Sequence, residues 1–226
     1  RAMMQQVVDA MRARGVFASI DIHNNTGLNP HYACVNRLDQ SFLHLATLFS
    51  RIVVYFIRPR GVQSAAFAEL CPAVTVECGK PGTPGSVEHA AAFMEACLHL
   101  SEFPEHPVAP HDVDLFHTVA TVKVPEQVSF GFGTPAADID FVPELDHFNF
   151  RELAHGDLLG RVLPGGSARL QVLDENGEDI GDHLFDYRKD EIILRRPLMP
   201  AMLTRDERVI RQDCLCYLME RIGMPT

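Results

Sequence analysis

Two short apolar runs, each ending in chemistry-bearing side chains, constrain this chain more than any other feature. The first, Val16-Phe17-Ala18-Ser19-Ile20, runs into Asp21-Ile22-His23-Asn24, and the second, Ala73-Val74-Thr75-Val76, runs into Glu77-Cys78-Gly79. Both read as buried strands of an α/β sheet. Strand side chains alternate, so Asp21 and His23 share a face at the strand end, where the carboxylate can orient a ligating imidazole. In an open α/β sheet the C-terminal ends of neighbouring strands converge on one crevice, which would bring His23 and Glu77 together. A zinc site with a glutamate base is the chemistry these residues suggest.

Each residue also has an ordinary reading. A single His after a strand commonly serves as a hydrogen-bonded loop or core residue. Glu77 stands in a segment that reads as buried, and an unpaired buried charge is costly enough to need a partner or a task. A structural ion pair would also satisfy it. It is the two motifs together, in this order, that favour a functional site.

Asp21-Ile22-His23-Asn24-Asn25-Thr26 followed by Val76-Glu77-Cys78-Gly79 resembles the succinylglutamate desuccinylase and aspartoacylase family, relatives of the zinc metallocarboxypeptidases. The resemblance implies that His23 is the last of three zinc ligands and Glu77 the general base of an amide hydrolase. Asp21 would orient a zinc-bound histidine, and Asn24 is a candidate for substrate binding. The family's other two ligands, an upstream His-x-x-Glu, and its upstream Asn-Arg pair have no counterpart in this sequence. The expectation is therefore a chain cut on its N-terminal side, since Arg1 opens directly onto a helical stripe at Met3, Met4, Val7, Val8 and Met11 with Gly15 placed to end it. His99-Leu100-Ser101-Glu102 has the His-x-x-Glu spacing, but it follows Glu77 and reads as a solvated helix end. Where aspartoacylase carries a Tyr and an Arg ahead of its catalytic Glu, this chain has Gln63 and Phe67. Phe67 cannot clamp a carboxylate, so the expected substrate is a small N-acyl amino acid or related amide other than N-acetylaspartate. A non-catalytic binding module, keeping the fold without a complete metal site, is the alternative.

Composition bounds the partners. With 46% hydrophobic and 22% charged residues the chain is ordinarily globular, and a net charge of −10 argues against nucleic acid or an anionic membrane. Cys34, Cys71, Cys78, Cys97, Cys214 and Cys216 show no framework spacing, which favours reduced thiols and a cytoplasmic protein. Cys78 would point away from Glu77, into the core.

The fold expected is α/β, a metallocarboxypeptidase-like mixed sheet flanked by helices, followed by a small β-rich C-terminal domain. Strands are expected over 16–22, 52–57 and 73–78 and helices over 40–50 and 86–100, the last with Val87, Ala91, Met94, Cys97 and Leu98 along one face. Residues 1–103 form the catalytic portion, the proline-rich 104–111 a linker, and 112–226 the β-rich domain. That domain has strands over 115–124, 158–163, 170–173 and 192–194, turns at Leu163-Pro164-Gly165-Gly166 and Asp174-Glu175-Asn176-Gly177, and a closing helix over 206–222. His106, His111 and His117 read as exposed linker histidines rather than a metal site. Arg58, in Arg58-Pro59-Arg60-Gly61, is expected at the same end of the sheet as His23 and Glu77, where a guanidinium could hold a substrate carboxylate; a solvated loop is the competing reading. Tyr187, with Arg188, is a candidate lid over the site or a strand-edge residue. An uncovered sheet edge would make a homo-oligomer possible.

Overall fold

The computed structural model describes residues 2–224, which divide into two compact units. The first comprises residues up to Asn25, Pro30–His117 and the segment from Arg221 onward. Its elements are α1 (Ala2–Arg12), β1 (Ser19–His23), β2 (Tyr32–Val35), α2 (Gln40–Thr47), β3 (Ile52–Tyr55), α3 (Gln63–Phe67), β4 (Ala73–Glu77), α4 (Ser86–Leu98) and the first part of β5 (Asp114–Lys123). The strands lie in the order β1-β4-β2-β3-β5. β1 and β4 are parallel, β2 runs antiparallel to β4, and β3 and β5 follow the direction of β2. The sheet is mixed because β2 enters between β4 and β3 against the direction of β4.

Burial explains why these segments take these forms. β4 is buried along its whole length, as its largely apolar sequence favours for a strand covered on both faces. Val74 and Val76 join Ala33, Val35, Val53, Leu43, Leu45 and Phe67 in one core, where each large side chain removed from water contributes roughly 1.5–3 kcal/mol. α1 packs Met4, Val8 and Met11 against this core and leaves Met3 and Val7 in solvent, so its inner stripe is narrower than the apolar pattern suggested. α4 differs more. Its inward side chains are Phe93, Ala90 and Cys97, whereas Val87 and Leu98 are 78% and 80% exposed. The wheel is rotated because Phe93, the largest apolar side chain of the helix, takes the buried position. The proline-rich 104–111 segment lies within this unit, with Val108 buried and its N–H bonded to Gln40 Oε1 at 2.9 Å.

The second unit comprises Thr26–Asn29 and Thr118–Glu220. The contacts thus divide inside β5, after His117, and not at the prolines. Following β5 come β6 (Phe130–Phe132), β7 (Ile139–Phe141), β8 (Leu158–Val162), β9 (Gln171–Asp174), α5 (Gly181–Leu184), β10 (Phe185–Arg188), β11 (Glu191–Leu194), β12 (Met199–Ala201), α6 (Glu207–Gln212) and β13 (Cys216–Arg221). β10-β11-β8-β7-β6 form a five-stranded sheet, antiparallel except for β6 beside β7. The later half of β5 pairs with β9, and β12 pairs with β13. Phe141, Phe185, Ile139, Leu159, Ile192, Leu194 and Leu203 fill its core.

The closing helix expected over 206–222 is corrected by the structure. α6 covers six residues, capped by Asp206, whose side chain accepts from the N–H groups of Arg208 and Val209. Beyond it Cys216 and Leu218 alternate inward as β13, which has a strand partner in β12. An apolar sequence that fits both periods took the one with a hydrogen-bonding neighbour. No helix among the described residues is long and apolar enough to cross a membrane.

Candidate active site

β1 and β4 are in register from Ser19 opposite Ala73 to His23 opposite Glu77. Partners on adjacent strands point to the same side of the sheet, so Asp21, His23, Thr75 and Glu77 share one face, with His23 and Glu77 side by side at the C-terminal ends. The antiparallel β2 sets Tyr32 opposite Glu77 and Cys34 opposite Thr75 on the same face. At the other end of these strands α3 covers the face. Thr75 Oγ1 donates to Ser64 Oγ at 3.1 Å, and Gln63 Nε2 donates to Ser19 Oγ at 3.3 Å and to the Ile20 carbonyl at 3.2 Å.

His23 Nε2 lies 2.9 Å from Asp21 Oδ1, with the imidazole half exposed and the carboxylate largely covered. With Nε2 engaged by Asp21, Nδ1 is the ring nitrogen left for another partner. Glu77 is 7% exposed, and its Oε2 accepts a hydrogen bond of 3.1 Å from Nδ2 of Asn25, which is 6% exposed. Burial pushes the Glu77 carboxyl above the usual carboxylate range. The Asn25 hydrogen bond and the attraction of His23 oppose that shift, and the charge of Asp21 adds to it. Beyond the strand ends the two loops are laced together. Cys78 N–H donates to the His23 carbonyl at 2.8 Å, and the Gly79 carbonyl accepts from Asn25 N–H at 3.0 Å and from Asn24 Nδ2 at 3.2 Å. Gly79 has φ of 74°, a left-handed conformation that favours glycine, and this turns its carbonyl toward the 24–25 loop.

The other anticipated residues are distributed differently. Asn24 is engaged through its amide with Gly79. Arg58 is exposed beyond β3, and because β3 runs against β4 it leaves the sheet at the end opposite His23 and Glu77. The expectation that it arrives at the same end is overturned by the direction of β2. Phe67 is 5% exposed, in the core of the first unit. Tyr187 lies in the second unit, where its hydroxyl accepts from Leu170 N–H at 2.9 Å and Arg169 lies over its ring at 4.2 Å; burial pushes its phenol up. His106 and His111 are exposed, as expected of a surface segment, whereas His117 is not an exposed linker residue but a half-buried residue of β5. Cys78 is buried in the core, and all six cysteines are free. Burial pushes the Cys34 thiol well above its usual range and the Glu77 charge adds to this, so the thiol facing Glu77 is not a poised thiolate.

Asn25, Tyr32 and Cys34 carried no expected role. Asn25 was detectable only as a polar residue two positions beyond His23. Tyr32 and Cys34 had no usable signal, because a four-residue strand after Pro30 has too few positions to show a period.

These residues do not by themselves make up a metal site. Among the described residues no group of three or more His, Cys, Asp or Glu side chains could hold a metal ion. His23 with Asp21 behind it fits one zinc ligand and its orienting carboxylate. It falls short of the three protein donors a catalytic zinc requires.

No family model matches the sequence, and no curated protein matches it. Solved structures do share its fold. Murine aminoacylase 3 superposes with a TM-score of 0.57 at 10% identity, over 97% of this chain and 70% of that one. Succinylglutamate desuccinylase from Chromobacterium violaceum gives 0.55 at 14% identity, over 100% of this chain and 61% of that one. A succinylglutamate desuccinylase/aspartoacylase from Rhodobacter sphaeroides gives 0.52 at 15% identity, over 96% and 61%. The α/β architecture with a β-rich C-terminal region is the one these family structures share, and this chain spans less than two thirds of the length of the last two.

Proposed function

We propose that the full-length protein containing this chain hydrolyses the amide bond of a small N-acyl amino acid or related amide. The observation that carries this reading is the in-register pairing of His23 with buried Glu77 on one sheet face, with Asp21 behind the imidazole and Asn25 on the carboxylate. The likeness in fold to an aminoacylase and to desuccinylases supports it.

Glu77 is the general base. A carboxyl raised by burial holds a proton more firmly than an exposed one, so it can take a proton from the attacking water and return it to the leaving amine nitrogen. His23 would hold zinc through Nδ1, with Asp21 orienting the ring, and further ligands would have to come from outside the described residues. Zinc, when bound, supplies Lewis acidity toward the substrate carbonyl and makes water a nucleophile near neutral pH. β1 pairs with β4 along one edge, and self-association along the other would make a homo-oligomer.

The test is a panel of N-acyl-L-amino acids offered to the full-length protein after dialysis, with zinc content measured in parallel. Near-stoichiometric zinc and hydrolysis are expected, with Glu77→Gln lowering turnover by about 10²- to 10⁴-fold at unchanged zinc content. Unchanged turnover refutes the base. The short donor set favours a second reading, a binding module without complete metal chemistry; absence of zinc and of hydrolysis in the full-length protein selects it.

A further inference from the structure

We propose that Asn25 is a positioning residue that holds Glu77 Oε2 through its Nδ2 and so fixes which carboxylate oxygen meets the reacting atoms. The inference rests on the general-base reading of Glu77 given above.

The terminal torsion of a glutamate is broad and nearly two-fold, so an untethered carboxylate presents either oxygen in a range of directions. Here Oε2 is held at 3.1 Å by an amide that is itself fixed. The backbone of residue 25 donates to the Gly79 carbonyl, the neighbouring Asn24 side chain donates to the same carbonyl, and Cys78 N–H closes onto His23. Asn25 is therefore anchored to the same 77–79 segment whose carboxylate it orients, and the two move as one piece. Both side chains are buried, at 6% and 7% exposure, so water does not compete for the bond and its directionality persists. With Oε2 committed, Oε1 is the oxygen that acts.

The choice of an amide follows from the chemistry of a base. An Arg or Lys at this position would form an ion pair with Glu77 and hold its carboxyl low, leaving a weak proton acceptor. An Asp would repel it. A neutral donor orients the carboxylate while lowering its basicity less than an ion pair would, and Asn reaches it from the loop two residues past His23.

The decisive variant is Asn25→Asp, which keeps the shape and removes both Nδ2 protons. In the full-length protein, assayed on the N-acyl-L-amino acid it hydrolyses best, kcat should fall about tenfold or more while KM stays within about threefold and zinc content is unchanged. On the Glu77→Gln background the same substitution should cause no further loss of kcat, because there is no base left to orient. A second readout needs no activity. In the metal-free protein the gain in unfolding midpoint from Glu77→Gln should be larger on the Asn25→Asp background than on the parent, since the amide placed at position 77 can donate to the carboxylate placed at position 25. The inference is overturned if Asn25→Asp leaves kcat within twofold of the parent, if the two substitutions are independent in kcat, or if their effects on the midpoint are additive. Should Glu77→Gln alone leave turnover unchanged, the general-base reading fails, and this inference with it.

Discussion

Replacing Glu77 by Gln should stabilise the metal-free protein while removing the proposed base. The carboxylate is 7% exposed, and Asn25 Nδ2 donates to its Oε2; Thr75, on the same face, bonds to Ser64 of α3. Burying a carboxylate costs several kcal/mol after relaxation, and a hydrogen bond to a charged group returns about 1.5–3 kcal/mol. The attraction of His23 and the repulsion of Asp21 oppose one another. A net penalty of about 1–2 kcal/mol remains, which the isosteric amide removes while still accepting from Asn25. For a chain of this size that is a rise in thermal midpoint of about 2–8 °C. The sign with pH follows from the raised carboxyl. The folded state binds this proton more tightly than the unfolded chain, whose Glu titrates near about 4.3. The penalty is therefore absent below that pH and grows as pH rises through the folded value. Thermal or urea midpoints of parent and Glu77→Gln, with chelator present from pH 4 to 8, should coincide at the acid end and separate toward neutrality. A variant less stable than the parent at pH 7, or a gain independent of pH, would refute the account of Glu77 as a strained, buried carboxylate.

Three other substitutions probe separate parts of the molecule. Asn149→Ala should destabilise by about 3–5 kcal/mol, because Asn149 bonds both the N–H and the carbonyl of fully buried Leu203 at 2.8 Å and truncation leaves both unmatched; a loss under about 1 kcal/mol in urea unfolding would show that the site relaxes. Arg51 and then Arg221 hold the Asp114 carboxyl below its usual range, a stabilisation fully present above the unfolded value near about 3.9 and lost as pH falls through the folded one. Asp114→Asn should therefore be less stable than the parent at neutral pH and converge with it in acid, and parallel stability curves would contradict this. Asp21→Asn should weaken zinc binding by the full-length protein about 10- to 100-fold in a chelator competition, and unchanged affinity would remove Asp21 from the site.

The sequence by itself determined the local character of the site strands. Apolar runs closed by Asp21, His23 and Glu77 specify strands whose ends carry polar groups; β4 is buried as that pattern requires, whereas β1, expected to be buried as well, lies at the sheet edge and is only partly covered, with Ile22 46% exposed. It also determined the change to short β elements after the prolines, and the inward position of Cys78. Partnership and direction were decided only by the tertiary structure. Nothing in 32–35 announces a strand antiparallel to β4, yet its insertion sends β3 the other way and carries Arg58 to the far end of the sheet. The rotation of α4, which exposes Val87 and Leu98, depends on where Phe93 finds room. The tail after α6 became β13 because β12 offered hydrogen bonds that a longer helix did not need. The contact between Asn25 and Glu77 likewise exists only once β1 and β4 are in register. Local periodicity is a property of a few consecutive residues, whereas strand order, direction and helix rotation minimise the exposed apolar surface of the whole unit, and that sum cannot be read from any one segment.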